Sequence, residues 1–404
     1  MLKVGLGQSE DIDDAIEMVL QNVSKPNLTF VFSSSCFNPH EVYNRVKEKI
    51  SGHIIGGTTA GEYTSLFKKP KNNTIAIMSL ESKALKVGLG VGKDLVVNPE
   101  LAGKNAAKES YKNIVRDPLL AHLIYLGLIR SKEIKNLNIN PFVSITLIDG
   151  LSGLEEPAMR GILSILGRNI RIVGGSTGDD LKFNMTYQYA DGVYNNAIIN
   201  TIVAGLKMGT GMGHPYKPTD KGAVVTKARG RTIYELNNRP AAEVLKELLD
   251  VDSLTPEILS ENPFGLRSSD IYGDYIIKSA MRENPDGSVS LYSEIYEGSY
   301  LSIMETDRET AIESFKKAIM MAIGDANIEK EDVGAIVIFN CILRHFLKEK
   351  LKINDVDIIK EVVGDVPVIG FNTYGEQGST RGGAIGHYNQ TSTILVISKK
   401  VISQ

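Results

Sequence analysis

The sequence predicts a mixed α/β to α+β fold built from repeated strand–helix–strand units with β-hairpins. A Gly- and Thr-rich motif ends an apolar run at three places, GGTTAGE (56–62), GGSTGDD (174–180) and GFNTYGE (370–376). An apolar strand and an amphipathic helix precede each copy. Hairpin patterns between residues 222 and 295 require antiparallel neighbours, so the predicted sheets are mixed rather than purely parallel.

Each predicted unit contains a strand, a helix and then the motif. The strand and helix segments are LTFVFSSS and NPHEVYNRVKEKI, FVSITLIDG and EEPAMRGILSILG, and GAIVIFNC and DVDIIKEVV. In the first helix, Asn38 is the predicted N-cap and Pro39 suits the first turn. An Asn-containing turn and a further strand follow each motif copy. We interpret the units as three structural repeats, the first two being the closest pair; resemblance through shared strand–helix physics is the alternative.

The remaining segments complete the predicted architecture. We expect a hairpin around Arg229 and Gly230, a helix beginning near Pro240, and a second hairpin that turns at residues 284–287. An amphipathic helix follows, with Ala311, Phe315, Ile319 and Ile323 on one face. LKVGLGVG (85–92) and LKMGTGMG (206–213) follow the first two units. The segment KVGLG occurs twice, at residues 3–7 and 86–90, and we interpret both copies as sheet strands that need close backbone approach.

The clearest predicted boundary is the turn-rich stretch at residues 215–222. It divides the chain into residues 1–218, which hold internal repeats at about 25–100 and 140–215, and residues 219–404. A length of 404 residues is ordinarily shared among two or three domains.

Composition excludes several classes of protein. A net charge of −3 provides no basic field for nucleic acid. Two cysteines cannot form a disulfide framework, which suits a reducing compartment. The longest apolar run, at residues 119–129, is too short to span a membrane. We therefore expect a cytoplasmic protein without membrane insertion.

The motifs, taken in order, resemble the FIST family. The resemblance extends from about residue 25 to the end of the chain. It is carried by GGTTAGE, GGSTGDD, NNAIINTIVAGLKMGTGMGHP, LNNRPAAEVL, FNCILR, VIGFNTYGEQG and HYNQTSTILV. The resemblance implies an N-terminal and a C-terminal FIST domain, and a sensory role in which a small ligand such as an amino acid is bound. No fused output domain is recognisable, so the implied output passes to a separate signalling partner such as a kinase or chemotaxis receptor.

The motif loops are the predicted ligand site. Gly-rich strand ends leave backbone N–H groups open to a carboxylate, and the following acidic residue suits an ammonium group, so together they would recognise a zwitterion. The candidate residues are Thr58, Thr59, Gly61, Glu62, Ser176, Thr177, Asp179, Thr373, Tyr374, Gly375 and Glu376. A tight turn in which the carboxylate caps local backbone is the alternative.

Further candidates surround the third copy, namely Asn340, Cys341, Arg344 and Asn389. Ligands often bind beyond the carboxyl ends of strands such as the one that ends at residue 341. Arg344 is predicted to clamp a ligand carboxylate, or alternatively to pair with Glu376 and hold the two loops together.

Two other functions stay open at this point. Cys341, with His345 four residues later, is a weak candidate nucleophile for an enzyme acting on a small amide or ester. Some FIST members resemble haem-based nitric-oxide sensors, for which His122 or His214 would be the axial ligand. The six histidines show no zinc-binding spacing, and we expect neither a metal nor a cofactor. Binding is favoured over catalysis.

Overall fold

The computed structural model describes residues 2–67, 70–117, 120, 141–267, 273–379 and 384–402. It confirms the mixed α/β class with several mixed sheets. Three sheets of similar build surround one core, and a fourth sheet is inserted between the second and third repeats. Strands and helices are numbered in chain order.

The three similar sheets share one plan of neighbouring strands. In hydrogen-bonded order, the first contains β1 (Lys3–Ser9), β5 (Ile75–Glu81), β2 (Leu28–Ser33), β3 (His53–Thr58), β9 (Gln188–Ala190) and β10 (Val193–Tyr194). The second contains β6 (Lys86–Gly92), β11 (Ile198–Ala204), β7 (Val143–Asp149), β8 (Arg171–Thr177), β23 (Glu376–Ser379) and β24 (Ile385–Tyr388). The third contains β12 (Leu206–Gly213), β25 (Ser392–Val401), β21 (Val333–Cys341), β22 (Val368–Thr373) and β4 (Glu62–Thr64).

The repeats exchange strands in a cycle. Each sheet has a central parallel pair, which is β2 with β3, β7 with β8, or β21 with β22. On one side of each pair, next to β3, β8 or β22, lies an antiparallel strand from another repeat. This strand is β9 in the first sheet, β23 in the second and β4 in the third. The three predicted repeats are therefore present, and the exchange arranges them with pseudo-threefold symmetry.

Helices cover the outer faces of these three sheets, and two further helices, at residues 241–249 and 256–261, pack in the core of the inserted sheet. Their bounds are α1 (Ile12–Leu20), α2 (Pro39–Lys49), α3 (Pro99–Val115), α4 (Glu155–Leu166), α5 (Ala241–Leu249), α6 (Pro256–Glu261), α7 (Arg308–Ala326), α8 (Ile342–Leu351) and α9 (Asp355–Val363). The predicted cap of α2 is confirmed, because the Asn38 side chain accepts hydrogen bonds from the backbone N–H groups of His40 and Glu41. The predicted apolar face of α7 is buried.

Glycines allow three strands to lie directly against helices. A Cβ atom at Gly5 of β1 would lie 2.4 Å from the Val19 carbonyl oxygen of α1. At Gly90 of β6 the same atom would lie 2.1 Å from the Ala106 oxygen of α3, and at Gly209 of β12 it would lie 2.1 Å from the Ala322 oxygen of α7. The close approach predicted for the two KVGLG strands is confirmed, and β12 shows the same feature.

Gly90→Ala is expected to lower the free energy of unfolding by about 1–3 kcal/mol, because the added methyl group forces β6 and α3 apart. Gly324→Ala is the matched control, since Gly324 lies within α7 and a Cβ atom there meets nothing within 4 Å. That change should stabilise by about 0.5–1 kcal/mol through helix propensity. Urea denaturation of both variants measures the difference, and equal effects would contradict the close-packing explanation.

The three sheets share one apolar core. Phe32 of the first sheet packs against Phe371 of the third, with ring centroids 4.6 Å apart, and Phe339 lies 5.7 Å from Phe371. Leu147 and Val173 of the second sheet belong to the same cluster. Because every sheet buries one face here, the core fixes where the strand ends meet.

The inserted sheet, within residues 217–305, has its own core. Its order is β17 (Tyr275–Lys278), β16 (Phe264–Arg267), β20 (Tyr300–Glu305), β13 (Lys217–Arg229), β14 (Thr232–Leu236), β19 (Val289–Leu291) and β18 (Ala280–Glu283), and β15 (Arg239–Pro240) pairs with β14. Both predicted hairpins are present in it, as β13–β14 and β18–β19.

The third sheet joins the two halves of the sequence. Strands β4 and β12 precede residue 218, whereas β21, β22 and β25 follow it. The division at 218/219 stays a prediction about sequence domains.

None of the described helices combines the length and apolar character needed to cross a membrane. The apolar run at 119–129 lies, apart from residue 120, outside the described residues.

Candidate functional site

The three motif loops meet and form what we call the motif ring, defined by residues 58–62, 176–180 and 372–376. Two backbone hydrogen bonds join each pair of loops. Between the first and third loops, Ala60 N donates to Asn372 O (3.1 Å) and Asn372 N to Gly61 O (2.8 Å). Between the second and third loops, Ser176 N donates to Gly375 O (2.7 Å) and Tyr374 N to Ser176 O (3.0 Å). Between the first and second loops, Gly178 N donates to Thr58 O (3.0 Å) and Asp180 N to Thr59 O (2.8 Å). Several N–H groups expected to face a ligand therefore bind a neighbouring loop.

Glu62 is buried inside this ring and is satisfied by threonines. Thr59 Oγ1 donates to one carboxyl oxygen (2.6 Å), and the hydroxyl and backbone N–H of Thr74 donate to the other (2.5 and 3.1 Å). Burial raises the pKa of Glu62 to about 8, although these hydrogen bonds act in the opposite direction. The carboxyl group is thus mostly protonated near pH 7.

Glu376 repeats the arrangement in the third copy. Thr373 Oγ1 donates to one oxygen, while the hydroxyl and backbone N–H of Thr391 donate to the other (2.7 and 3.1 Å). Burial raises its pKa to about 7, against the hydrogen bonds from Thr373 and Thr391. Two equivalent positions therefore hold a buried carboxyl group with a raised proton affinity.

The second copy places Gln188, rather than Asp179, at this position. Gln188 pairs with Gly57 in the first sheet, as Glu62 pairs with Phe371 and Glu376 with Gly175 in theirs. Its Nε2 donates to Thr177 Oγ1 at 2.8 Å. The alignment of Asp179 with the two glutamates is wrong, because residues between Thr177 and Gln188 form an insertion in this copy.

Asp179 instead fixes the inserted loop. Its carboxylate accepts hydrogen bonds from the backbone N–H groups of residues 183–185 and from the Tyr374 hydroxyl (2.7 Å). Burial alone would raise the pKa of Asp179, but these donors lower it overall. Tyr374 also stacks on Phe183, with ring centroids 5.5 Å apart. The third motif copy thus holds the loop of the second.

Arg344 forms a buried ion pair with Asp355. The alternative prediction, that Arg344 pairs with Glu376, is therefore wrong. Arg344 Nη1 donates to Asp355 Oδ2 (2.9 Å) and to Asn340 Oδ1 (2.6 Å), and Lys348 Nζ donates to the same Asp355 oxygen (2.5 Å). Asp355 lies at the start of α9, where the sequence shows an ordinary amphipathic helix. This triad joins α8 and α9.

Cys341 lies at the end of β21 and the start of α8, and it is unpaired and buried. Burial raises the pKa of its thiol well above the usual value, and the neighbouring Glu376 raises it further. The thiol form is therefore favoured over the nucleophilic thiolate at neutral pH.

Of the two histidines considered as haem ligands, His214 lies within the described residues. Its Nδ1 accepts a hydrogen bond from the Tyr216 backbone N–H (3.2 Å), and the ring also bonds the backbone of Tyr275. Burial lowers its pKa to about 4. His122 lies outside the described residues, and among those described no three His, Cys, Asp or Glu side chains cluster for a metal.

Next to the motif ring lies a second group of polar side chains, which we call the polar cluster. Its members come from the second sheet, from α4 and from the inserted sheet. They are Ser176, Gln377, Ser379 and His387, Glu155 and Glu156, and Arg231 and Lys278. Gly375 connects ring and cluster, because a Cβ atom there would lie 2.1 Å from His387 Cε1.

Gln377 is fully buried and only partly satisfied. Its Nε2 donates to Ser176 Oγ (3.1 Å) and lies 3.2 Å from His387 Nδ1. Its Oε1 and the Ser379 hydroxyl, two residues further along the same face of β23, have no hydrogen-bond partner within the described ranges. Burial lowers the pKa of His387, so its ring is neutral near pH 7.

The charged members of the cluster are unevenly paired. Arg231 Nη2 lies 2.6 Å from Glu155 Oε2 and 2.5 Å from Glu156 Oε2. Lys278, only 8% exposed, has neither an ion pair nor a hydrogen bond in the described part of the chain. Burial lowers its pKa, against the attraction of Glu156.

Asn389, which follows β24 of the second sheet, bonds residues of the inserted region. Its Oδ1 accepts from the hydroxyl of Ser293 (2.9 Å) and from the backbone N–H of Ser279 (3.5 Å).

The sequence could have identified Gln377 as a site residue, because it lies one residue beyond the motif. Arg231 and Lys278 lie more than 95 residues earlier, and no local pattern connects them to the motif.

Two family models match the chain, the FIST N domain over residues 27–239 and the FIST C domain over residues 241–379. The chain is 32% identical over 241 residues to an uncharacterized protein of Methanocaldococcus jannaschii, covering 53% of this chain and 47% of that protein. It is 23% identical over 222 residues to an uncharacterized protein of Mycobacterium bovis, covering 52% and 56%. The chain thus spans about half the length of the curated relatives it matches.

Among solved structures, a cyanuric acid hydrolase from A. caulinodans aligns over 99% of this chain and 100% of its own, with a TM-score of 0.38 and 7% identity. A likeness of that size carries no argument about activity. The family models together cover most of the described fold, including all three motif copies. The chain belongs to the FIST family, whose domains are generally sensory, ligand-binding domains of signalling proteins.

Proposed function

We propose that the protein is a cytoplasmic sensory module that binds a small, polar, amino-acid-like ligand beside the motif ring and reports it to a separate protein partner. The observation that carries this proposal is the pair of buried, unpartnered groups on β23, Gln377 Oε1 and Ser379 Oγ. A buried polar atom without a partner costs about 1–3 kcal/mol. A ligand that supplies the missing donors would recover that free energy on binding.

The two atoms lie beside the second motif copy. Gln377 pairs with Gly174 in the middle of β8, and its Nε2 reaches Ser176 near the carboxyl end of that strand, where ligands of α/β proteins commonly bind. Ser379 lies two residues further along β23, towards the amino end of β8.

Of the residues predicted from sequence, we propose Ser176, Gly375 and Asn389 as ligand neighbours. Ser176 belongs to the polar cluster, Gly375 lies against His387, and Asn389 bonds the backbone of Ser279, next to Lys278.

Two other predicted residues, Tyr374 and Asp179, are assigned a role in signalling. The proposed route from ligand to partner passes through Tyr374, which is adjacent to Gly375 and bonds Asp179. The loop that Asp179 fixes carries the exposed side chains of Leu181, Phe183 and Met185. Movement of Tyr374 would therefore displace these exposed apolar side chains, to which a partner protein could bind.

A thermal-shift screen of the full chain against the twenty amino acids tests the proposal. A ligand present at 100 times its Kd should stabilise the protein by about 2.7 kcal/mol. Gln377→Met should weaken the affinity for that ligand at least tenfold and so reduce the stabilisation. Gln21→Met, at an exposed position, should leave both unchanged. Failure of every amino acid to stabilise the wild-type protein would contradict an amino-acid-like ligand.

A further inference from the structure

Lys278 is an unusual lysine for its position. It ends β17 in the inserted sheet and is 8% exposed, yet its amine contacts no acceptor within the described residues. Two other lysines of the same region do pair, Lys246 with Glu283 at 2.8 Å and Lys227 with Glu235 at 3.6 Å. Removing an ammonium group from water is unfavourable unless an anion compensates it. The fold therefore holds a cation that lacks a counter-ion of its own.

The nearby carboxylates are already committed to other donors. Arg231 bonds both Glu155 and Glu156, and the backbone N–H of Glu294 donates to Glu156 Oε1 at 2.7 Å. The Glu294 side chain in turn accepts from Arg160 at 2.9 Å. Glu156 and Glu294 lie close enough to raise the proton affinity of Lys278, but neither makes direct contact with it.

We propose that Lys278 is the anion-binding group of the ligand site, and that the ligand carries a carboxylate at one end and hydrogen-bond donors at the other. The carboxylate would pair with Lys278, and the donors would reach Gln377 Oε1 and Ser379 Oγ. This inference rests on the proposed function, since it assigns the binding groups of the same site. It makes the inserted sheet part of that site.

Charge balance favours a ligand that is neutral overall. Glu155 and Glu156 contribute two negative charges, and Arg231 and Lys278 contribute two positive ones, while burial keeps His387 neutral. A zwitterion gives Lys278 a partner without adding net charge to this buried group. A dianion would leave a negative charge unpaired beside Glu156, which is unfavourable.

Binding would also hold the inserted sheet against the second sheet. Gln377 belongs to β23, whereas Lys278 belongs to β17, and Asn389 already links the two sides through Ser293. A ligand that contacts both sides adds a second connection between them. Such a ligand should slow opening of this interface.

The test compares Lys278→Met with Lys221→Met, an exposed lysine of the same sheet, and uses the twenty amino acids, lactate and acetate as probes. Without ligand, Lys278→Met should raise the melting temperature, because it removes a buried, unpaired charge. If Lys278 had a structural role instead, the same substitution would lower the melting temperature. With ligand, Lys278→Met should weaken binding at least tenfold, Lys278→Arg should restore part of it, and Lys221→Met should bind as the wild type does.

Each outcome separates the two proposals. If a probe stabilises the wild-type protein and Lys278→Met equally, ligand sensing stands and the role of Lys278 is overturned. If no amino acid binds, the proposed function fails, and the reaction of Lys278 with acetic anhydride, followed by peptide mass spectrometry, then decides the inference. Protection of Lys278 by lactate or acetate, but not by equal chloride, would support a carboxylate site. Absence of protection would overturn it.

Discussion

Asp355→Ala is expected to lower the free energy of unfolding by about 3–5 kcal/mol, since it leaves two buried cations without their counter-ion. The carboxylate is almost fully buried, and both Arg344 and Lys348 donate to the same oxygen. Although burial would raise the pKa of Asp355, the two cations hold it at about 2. Arg344 also lies over the Phe315 ring, 4.7 Å from its centroid, so the loss would spread to the packing of α7.

Asp365→Ala provides the matched control. Asp365 pairs with Lys360 at 2.8 Å, but both side chains are largely exposed. An exposed pair of this kind contributes about 0–1 kcal/mol. Equilibrium urea denaturation of both variants measures the difference. A loss below about 1 kcal/mol for Asp355→Ala would show that Arg344 and Lys348 find water or other partners, and that the triad does not hold α8 and α9 together.

Local patterns predicted the elements of this fold well. The bounds of α9 (Asp355–Val363) and the cap of α2 follow from apolar periodicity and from capping residues, which act within one or two helical turns. The hairpin turn after Arg229 is likewise local. The three repeats could be identified because the motif and its flanking strands lie in one continuous stretch in each copy.

The exchange of strands between repeats could not be predicted in this way. Strand β4 continues directly from the first motif copy, yet it pairs with β22, more than 300 residues later. The equivalence of Gln188 with Glu62 and Glu376 appears only through this pairing. Alignment of adjacent letters favoured Asp179, because a nine-residue separation from Asp179 to Gln188 hides the correct position.

The candidate site shows the same division between local and distant contacts. The Thr–Glu hydrogen bonds join residues three apart and are implicit in the motif. Their burial, and the use of loop N–H groups to close the motif ring, depend on three loops meeting in space. Lys278 carries no sequence signal, because a lysine at the end of a strand is ordinarily exposed.

The buried glutamates predict that stability falls as pH rises through the neutral range. The folded protein holds a proton on Glu62 with a pKa of about 8 and on Glu376 with a pKa of about 7, whereas the unfolded chain releases both near the ordinary value of 4.5. Between these values the folded state binds more protons than the unfolded state, so the free energy of unfolding decreases with pH. Each site contributes up to about 1.4 kcal/mol per pH unit within its window.

Glu62→Gln and Glu376→Gln should each flatten this dependence, and the double variant should remove most of it between pH 6.5 and 8. Below pH 6.5, the lowered pKa values of His214 and His387 contribute with the opposite sign. The amide is compatible with the fold, because Gln188 already occupies the equivalent position and bonds Thr177. It keeps an acceptor for the backbone N–H of Thr74 or Thr391 and carries no proton that unfolding could release. Exposed Glu10→Gln is the control and should leave the slope unchanged. Urea denaturation at half-unit pH intervals measures the slopes. A double variant with the wild-type slope would mean that these carboxyl groups are ionised in the folded ring, where the hydrogen bonds from Thr59 and Thr373 would have to stabilise buried anions.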